Sequence, residues 1–223
     1  LYYEWSPVFF THEMAIEEIG TRLDALHFSL DPDKIRSGSL RSSEEIRWQE
    51  ELAELENLPD FFIEERAGGT VAGVRATRRQ YPQAKALLID GGYMLTDKRN
   101  ARQDWQRLMN ISEELAITAK EENVLVVVTL QLTDQGTIQR SKGMKNDAHL
   151  IVHVKQDHDD SERDVVKLEM DKHRGGKMLK KPIPVLFDLD NAEIRELDED
   201  EEVGAMLDSD EPLPTLNQEI LDF

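Results

Sequence analysis

The 223-residue sequence predicts an α/β fold: a mainly parallel sheet flanked by helices, with antiparallel hairpins at its edge and an acidic C-terminal tail. Three observations carry this. Short apolar runs alternate with longer stretches of helical spacing over the first 130 residues. Residues 124–130 are almost wholly apolar and β-branched, the character of a central parallel strand. After residue 147 the helical spacing gives way to three strand-like runs, and Gly175-Gly176 lies between the last two as a hairpin tip.

In order, residues 7–10 read as a buried strand, and residues 14–29 as a helix with Ile16, Ile19, Leu23 and Leu26 on one side. Ser42 or Ser43 caps a helix reaching about residue 57, with Trp48, Leu52 and Leu55 on its apolar face. Residues 61–63 form a strand, and Thr70 caps a helix running to Tyr81. Residues 86–90 are an apolar strand ending in Asp90. Residues 103–122 follow with Trp105, Leu108, Ser112, Leu115 and Ala119 at helical spacing, leading to the strand at 124–130. A polar stretch, 133–147, precedes strands at 150–154, 165–170 and 183–189.

Composition bounds the function. The chain has no cysteine, which excludes disulfides and thiolate metal sites and is compatible with a reducing cytoplasm. No apolar run reaches the roughly 20 residues of a membrane-spanning helix. The opening Leu1-Tyr2-Tyr3-Glu4-Trp5 has neither an initiator Met nor a basic signal-like region, so a fragment or trimmed chain is expected. A net charge of -19 argues against general adhesion to nucleic acid. The charge is uneven, however: residues 193–223 hold 12 acids and one base, Arg195. Residues 198–223 therefore read as a disordered tail, acidic at first and ending with Leu221 and Phe223.

Four elements carry candidate chemistry. Glu13 and Asp90 lie at or just beyond strand ends, where open α/β sheets bind ligands. An acid ending an apolar strand can serve magnesium, and a second one nearby can deprotonate an attacking water. Gln131 follows the strand at 124–130 and can sense a terminal phosphate. Lys172 and Arg174 flank His173 before a tight turn, where cations can stabilise charge on a transferred phosphoryl group. Each has a plainer reading on its own: a helix cap, a surface amide, a charged hairpin.

Together, their order resembles the DnaB-like replicative helicases. Phe9-Phe10-Thr11-His12-Glu13-Met14 is similar to the family's Phe-Ser-Leu-Glu-Met segment, and Lys34-Ile35-Arg36-Ser37-Gly38-Ser39-Leu40 to the stretch that follows it. Leu88-Ile89-Asp90 resembles its Walker B strand, and Leu130-Gln131-Leu132 its Ser-Gln-Leu. Residues 141–148 and Lys172-His173-Arg174-Gly175-Gly176 resemble two later motifs. The resemblance implies a RecA-like ATPase domain over residues 1–197, with the tail beyond it, acting on ATP with Mg2+. It implies Glu13 as catalytic base, Asp90 as magnesium ligand and Gln131 as γ-phosphate sensor, with Lys172 and Arg174 reaching a neighbouring subunit's ATP. It also implies a ring, expected to be a hexamer, working on single-stranded DNA in the cytoplasm of a bacterial or phage-infected cell. Lys98, Arg99 and Arg102 after one strand, and Arg140, Lys142 and Lys145 after the next, are the candidate DNA contacts. Arg75, Arg78 and Arg79 read instead as a solvated face or a subunit contact.

The tail resembles those by which phage helicase-primases and bacterial single-strand-binding proteins dock on replication partners. It points to a DNA polymerase, primase or single-strand-binding protein, with Phe223 as the anchor. Two departures stand out. The family's Gly-rich loop with Lys-Ser/Thr is absent: Gly176-Lys177 is followed by Met178, which has no hydroxyl for magnesium. This chain alone is therefore expected to bind ATP poorly. Gly91-Gly92 also replaces a bulkier pair, and a loosened loop is expected there. Two other readings stay open: another RecA-fold ring ATPase, recombinase or clock-type, and a non-catalytic module that recruits partners through its tail.

Overall fold

A computed structural model describes residues 5–55, 57–65, 69–99, 101–131, 142–156, 164–188 and 193–197. The tail predicted at 198–223 lies outside them. Strand β1 (Ser6–Thr11) is flanked in parallel by β2 (Phe62–Glu65) and β3 (Ala84–Asp90), and β4 (Leu125–Val128) adds beyond β3, giving the order β2-β1-β3-β4. The parallel crossovers are made by α1 (Ile16–Phe28), α2 (Pro32–Ser37) and α3 (Ser42–Leu55), then by α4 (Val71–Arg78), then by α5 (Asp104–Glu122).

One core holds these layers together. Val8 and Phe10 of β1 and Leu87 and Ile89 of β3 are buried against Val71 and Val74 of α4, Leu95, and Ile111 and Leu115 of α5. Each such side chain contributes about 1.5–3 kcal/mol on full burial. Thr70 caps α4 as expected, accepting the Gly73 N–H at 3.2 Å. Helix α2 was not foreseen, although its signal is plain: Pro32 stands at its first turn and Asp31 caps it, accepting the N–H groups of Asp33 and Lys34.

The late strands depart from expectation in arrangement. They form a separate antiparallel meander, β5 (Leu150–Lys155), β6 (Val165–His173), β7 (Ile183–Asp188) and β8 (Glu193–Glu196), rather than an edge of the parallel sheet. Helix α6 (Lys142–Asp147) leads into it from the stretch read only as polar. β4, expected to be central, pairs among the described residues with β3 alone. Its Val126 and Val128 pack on the core, while Leu125 and Val127 are 48% and 44% exposed. β5 pairs only with β6 among the described residues and exposes Leu150, Val152 and Val154. Both faces of β4 are apolar, as predicted, but only one is covered. Among the described residues, no helix is long and apolar enough to cross a membrane.

Candidate functional site

Three strand ends meet at one edge of the parallel sheet. Thr11, the last residue of β1, is in register with Asp90, the last of β3, and Ile89 is in register with Val128, the last of β4. Glu13 and Gln131 lie two and three residues past their strands and are exposed, while Asp90 is half-buried. The alternation that sends Phe10 and Ile89 into the core thus sends the next residues of all three strands toward one opening.

Threonine hydroxyls fix both acids. Buried Thr11 donates its hydroxyl to the Met14 carbonyl at 2.8 Å and accepts the Met14 N–H at 3.0 Å, closing a turn around Glu13. Thr129, just past β4, donates to Asp90 Oδ1 at 2.8 Å and accepts the Gly91 N–H at 2.9 Å. A Cβ on Gly91 would lie 3.7 Å from Glu13 Cγ, so the two acid-bearing segments are neighbours.

The expected loosening at Gly91-Gly92 is not found. Both glycines are buried. Gly91 takes a φ of +83°, a left-handed conformation that favours glycine, and Gly92 donates its N–H to the Thr129 carbonyl at 3.1 Å. A Cβ on Gly92 would overlap Val128 Cγ2, so glycine here permits close approach of the loop to β4.

Lys172 and Arg174 stand elsewhere, at the end of β6, against the C-terminus of α6. Lys172 donates to the carbonyls of Lys145 and Asn146, and Arg174 donates to the Asn146 carbonyl at 2.5 Å. Free carbonyls at a helix C-terminus attract cations. Asp171 joins the same corner, accepting from Lys145 Nζ at 2.5 Å and lying 3.2 Å from His153 Nε2. The Lys145 ammonium, and then His153, hold the Asp171 carboxyl below the usual carboxylate range.

The candidate DNA contacts divide. Lys98 and Arg102 are exposed on the loop after β3. Arg99 is a strut, donating to Asn110 Oδ1 at 2.9 Å and pairing with Glu113 of α5 at 2.9 Å. Buried Asp97 braces the same loop by accepting from Asn110 Nδ2 at 2.8 Å and from the Ala101 N–H at 3.2 Å. Lys145 is engaged with Asp171; Arg140 and the Lys142 side chain lie outside the described residues, as does Phe223. Arg75, Arg78 and Arg79 are not a bare solvated face: they gather around Glu122 at the C-terminus of α5, and Arg75 also pairs with Glu121 at 2.6 Å. The Arg75 hydrogen bond holds the Glu122 carboxyl below its ordinary range.

Sequence reasoning missed Thr11, Thr129, Asp97 and Asp171. A hydroxyl residue immediately past each candidate strand was the only available signal, and it applies to Thr129 alone.

The residues present fit a partly hydrated magnesium ion better than a caged one. Among the described residues no group of three or more His, Asp or Glu side chains could hold a metal, and magnesium is commonly bound by one or two carboxylates plus substrate phosphates. The phosphate cradle itself is not in these 223 residues.

Comparison with known proteins follows the same lines. Residues 3–193 match the DnaB-like helicase C terminal domain. The replicative DNA helicase DnaB of Rickettsia typhi is 26% identical over 137 residues, covering 60% of this chain and 27% of that protein. A probable replicative DNA helicase of Trieres chinensis is 23% identical over 197 residues, covering 78% and 43%. The chain thus spans less than half the length of these relatives. Among solved structures, the ATPase domain of a phage protein superposes with a TM-score of 0.77 at 20% identity, covering 87% of this chain and 75% of that one. A DnaB-like replicative helicase, solved for its interactions with primase, gives the same TM-score and identity over 87% and 51%. A RecA-like α/β fold with these strand ends, matched over most of its length by one family model, makes the chain a member of the DnaB-like helicase C-terminal domain family.

Proposed function

We propose that this chain is the motor domain of an ATP-driven replicative DNA helicase, acting as a ring, a hexamer, with nucleotide sites between subunits. The observation that carries the reading is the convergence of Glu13, Asp90 and Gln131 at one sheet edge, with both acids clasped by threonine hydroxyls. Glu13 takes a proton from the attacking water, its exposure leaving it free to do so. Asp90 presents the oxygen that Thr129 does not use to magnesium, which neutralises phosphate charge when bound. Gln131 reads the terminal phosphate. Lys172 and Arg174 exchange the α6 carbonyls for the neighbouring subunit's nucleotide. Phosphate-cradling groups must come from outside these 223 residues, because they contain no Gly-rich Lys-Ser/Thr loop.

The loops after β3 and β4 face single-stranded DNA, using Lys98, Arg102, Arg140, Lys142 and Lys145, with Arg99 holding its loop in shape. The acidic tail recruits a replication protein, with Phe223 as the anchor. The test is Glu13→Gln in the protein that carries this chain. ATP binding should persist while hydrolysis falls by about 10²-fold or more, the scale of a lost general base. Asp90→Asn should lose hydrolysis and its magnesium dependence together. Normal turnover by Glu13→Gln sinks the reading. Absence of nucleotide binding by the unmodified protein favours the non-catalytic module, for which the missing loop is the supporting observation.

A further inference from the structure

We propose that Thr129 is a positioning residue that sets the orientation of the Asp90 carboxylate and splices it to the strand bearing Gln131; this rests on the magnesium role proposed for Asp90. Four hydrogen bonds make the splice. The Thr129 N–H donates to the Ile89 carbonyl at 3.0 Å, and the Thr129 carbonyl accepts the Gly92 N–H at 3.1 Å. Its hydroxyl contacts the Gly91 nitrogen at 2.9 Å and Asp90 Oδ1 at 2.8 Å.

The direction of the hydroxyl bonds follows from proton count. An amide nitrogen can only donate, so the Gly91 bond uses an oxygen lone pair of Thr129. The single hydroxyl proton is then available for Asp90 Oδ1, which must accept and is therefore the unprotonated oxygen. One carboxylate oxygen is pinned and Oδ2 is left for a ligand. Because Gly91 is held at a φ of +83° and Gly92 against Val128, the loop cannot shift away from β4 without breaking these bonds. Gln131 is two residues further along the same backbone. Movement of the phosphate sensor and reorientation of the magnesium-serving acid are thereby one event. A valine at position 129 matches the shape of threonine but lacks the hydroxyl; a serine retains it.

The experiment compares Thr129→Val and Thr129→Ser, in two readouts. The first is amide hydrogen exchange at Gly91 and Gly92 without nucleotide. Thr129→Val should release Gly91, whose acceptor is the hydroxyl, and spare Gly92, whose acceptor is the backbone; Thr129→Ser should protect both. The second is the Mg2+ concentration for half-maximal ATPase in the full-length protein. Loss of an outer-shell hydrogen bond typically costs 10–100-fold in metal affinity or activity, so Thr129→Val should raise that concentration about 10-fold or more, and Thr129→Ser should restore it. A change in maximal rate with unchanged Mg2+ dependence, or Thr129→Ser behaving like Thr129→Val, overturns the proposal. So does unchanged Gly91 exchange in Thr129→Val. Failure of the ATPase reading is separable: it shows as normal turnover by Glu13→Gln, whereas the Gly91 exchange result stands without any nucleotide.

Discussion

Gly92→Ala is a test of packing with a calculable outcome. The added Cβ would meet Val128 Cγ2 more than an ångström inside the usual carbon–carbon separation of about 3.5–4.0 Å, and would lie 3.3 Å from the Thr129 carbonyl oxygen. Val128 cannot easily turn aside, because a β-branched side chain is stiff at χ1 and its other surface packs on the core. Overpacking of this kind costs about 1–3 kcal/mol. For a domain of this size each 1 kcal/mol lowers Tm by about 2–4 °C, so Gly92→Ala should melt roughly 2–12 °C lower. Val128→Ala alone removes two methyl groups from a half-buried site and is itself destabilising. In the double variant the clash is gone, so the combined loss should be smaller than the sum of the single ones, with a coupling of about 0.5–3 kcal/mol. Thermal or urea denaturation of the four proteins gives the cycle directly. Additive losses, or a Gly92→Ala protein as stable as the parent, would refute the close approach and with it the tight course of the loop behind Asp90.

Three further outcomes are expected. Rings mixing Arg174→Ala subunits with Glu13→Gln subunits should regain some ATPase, because one class of mixed interface keeps both groups; no recovery at any ratio, in rings shown to be mixed, argues against action in trans. Neutralising Arg140, Lys142 and Lys145 together should weaken single-strand binding and flatten its salt dependence by about 0.7 for each phosphate left unneutralised, read from binding isotherms at several salt concentrations. Acid should loosen the corner between α6 and β6. The Asp171 carboxyl is depressed in the folded chain by Lys145 and His153, so its contribution is present above the ordinary Asp value, near 3.9, and is lost as pH falls through the lower folded value. The pair is partly exposed, so the loss is about 1 kcal/mol or less; α6 amide exchange that ignores both this pH range and Asp171→Asn would exclude the tie.

The legible part of the fold was the part set by side-chain period. β1, β3, α1, α4 and α5 were all foreseen because Val8, Phe10, Leu87, Ile89, Val74 and Ile111 recur at the spacing of the element that buries them. α2 and α6 are six residues each, too short for a helical stripe, and α2 rests on local capping by Asp31 instead. The acids of the site were legible because a strand end is a fixed place in an α/β sheet. Their supports were not. Thr129 and Asp90 are 39 residues apart, and Arg99 and Asn110 meet only because α5 turns back along the loop, so no local pattern announces either pair. The basic residues were the least legible: sequence gives the number of cations, but Glu121, Glu122, Glu113 and Asp171 decide which are already neutralised.

The bare strands β4 and β5 bear on how such a chain can be handled. Each offers a row of backbone donors and acceptors beside exposed Leu and Val side chains, and such a row is a template for adding a strand from another molecule. What opposes that in solution is mutual repulsion between copies that each carry a net charge of -19. Repulsion is screened within about 10 Å at 0.1 M salt, whereas strand pairing is not. A preparation of these 223 residues should therefore stay dispersed at low ionic strength and gather into β-rich aggregates as salt is raised, the reverse of a protein whose assembly is held by ion pairs.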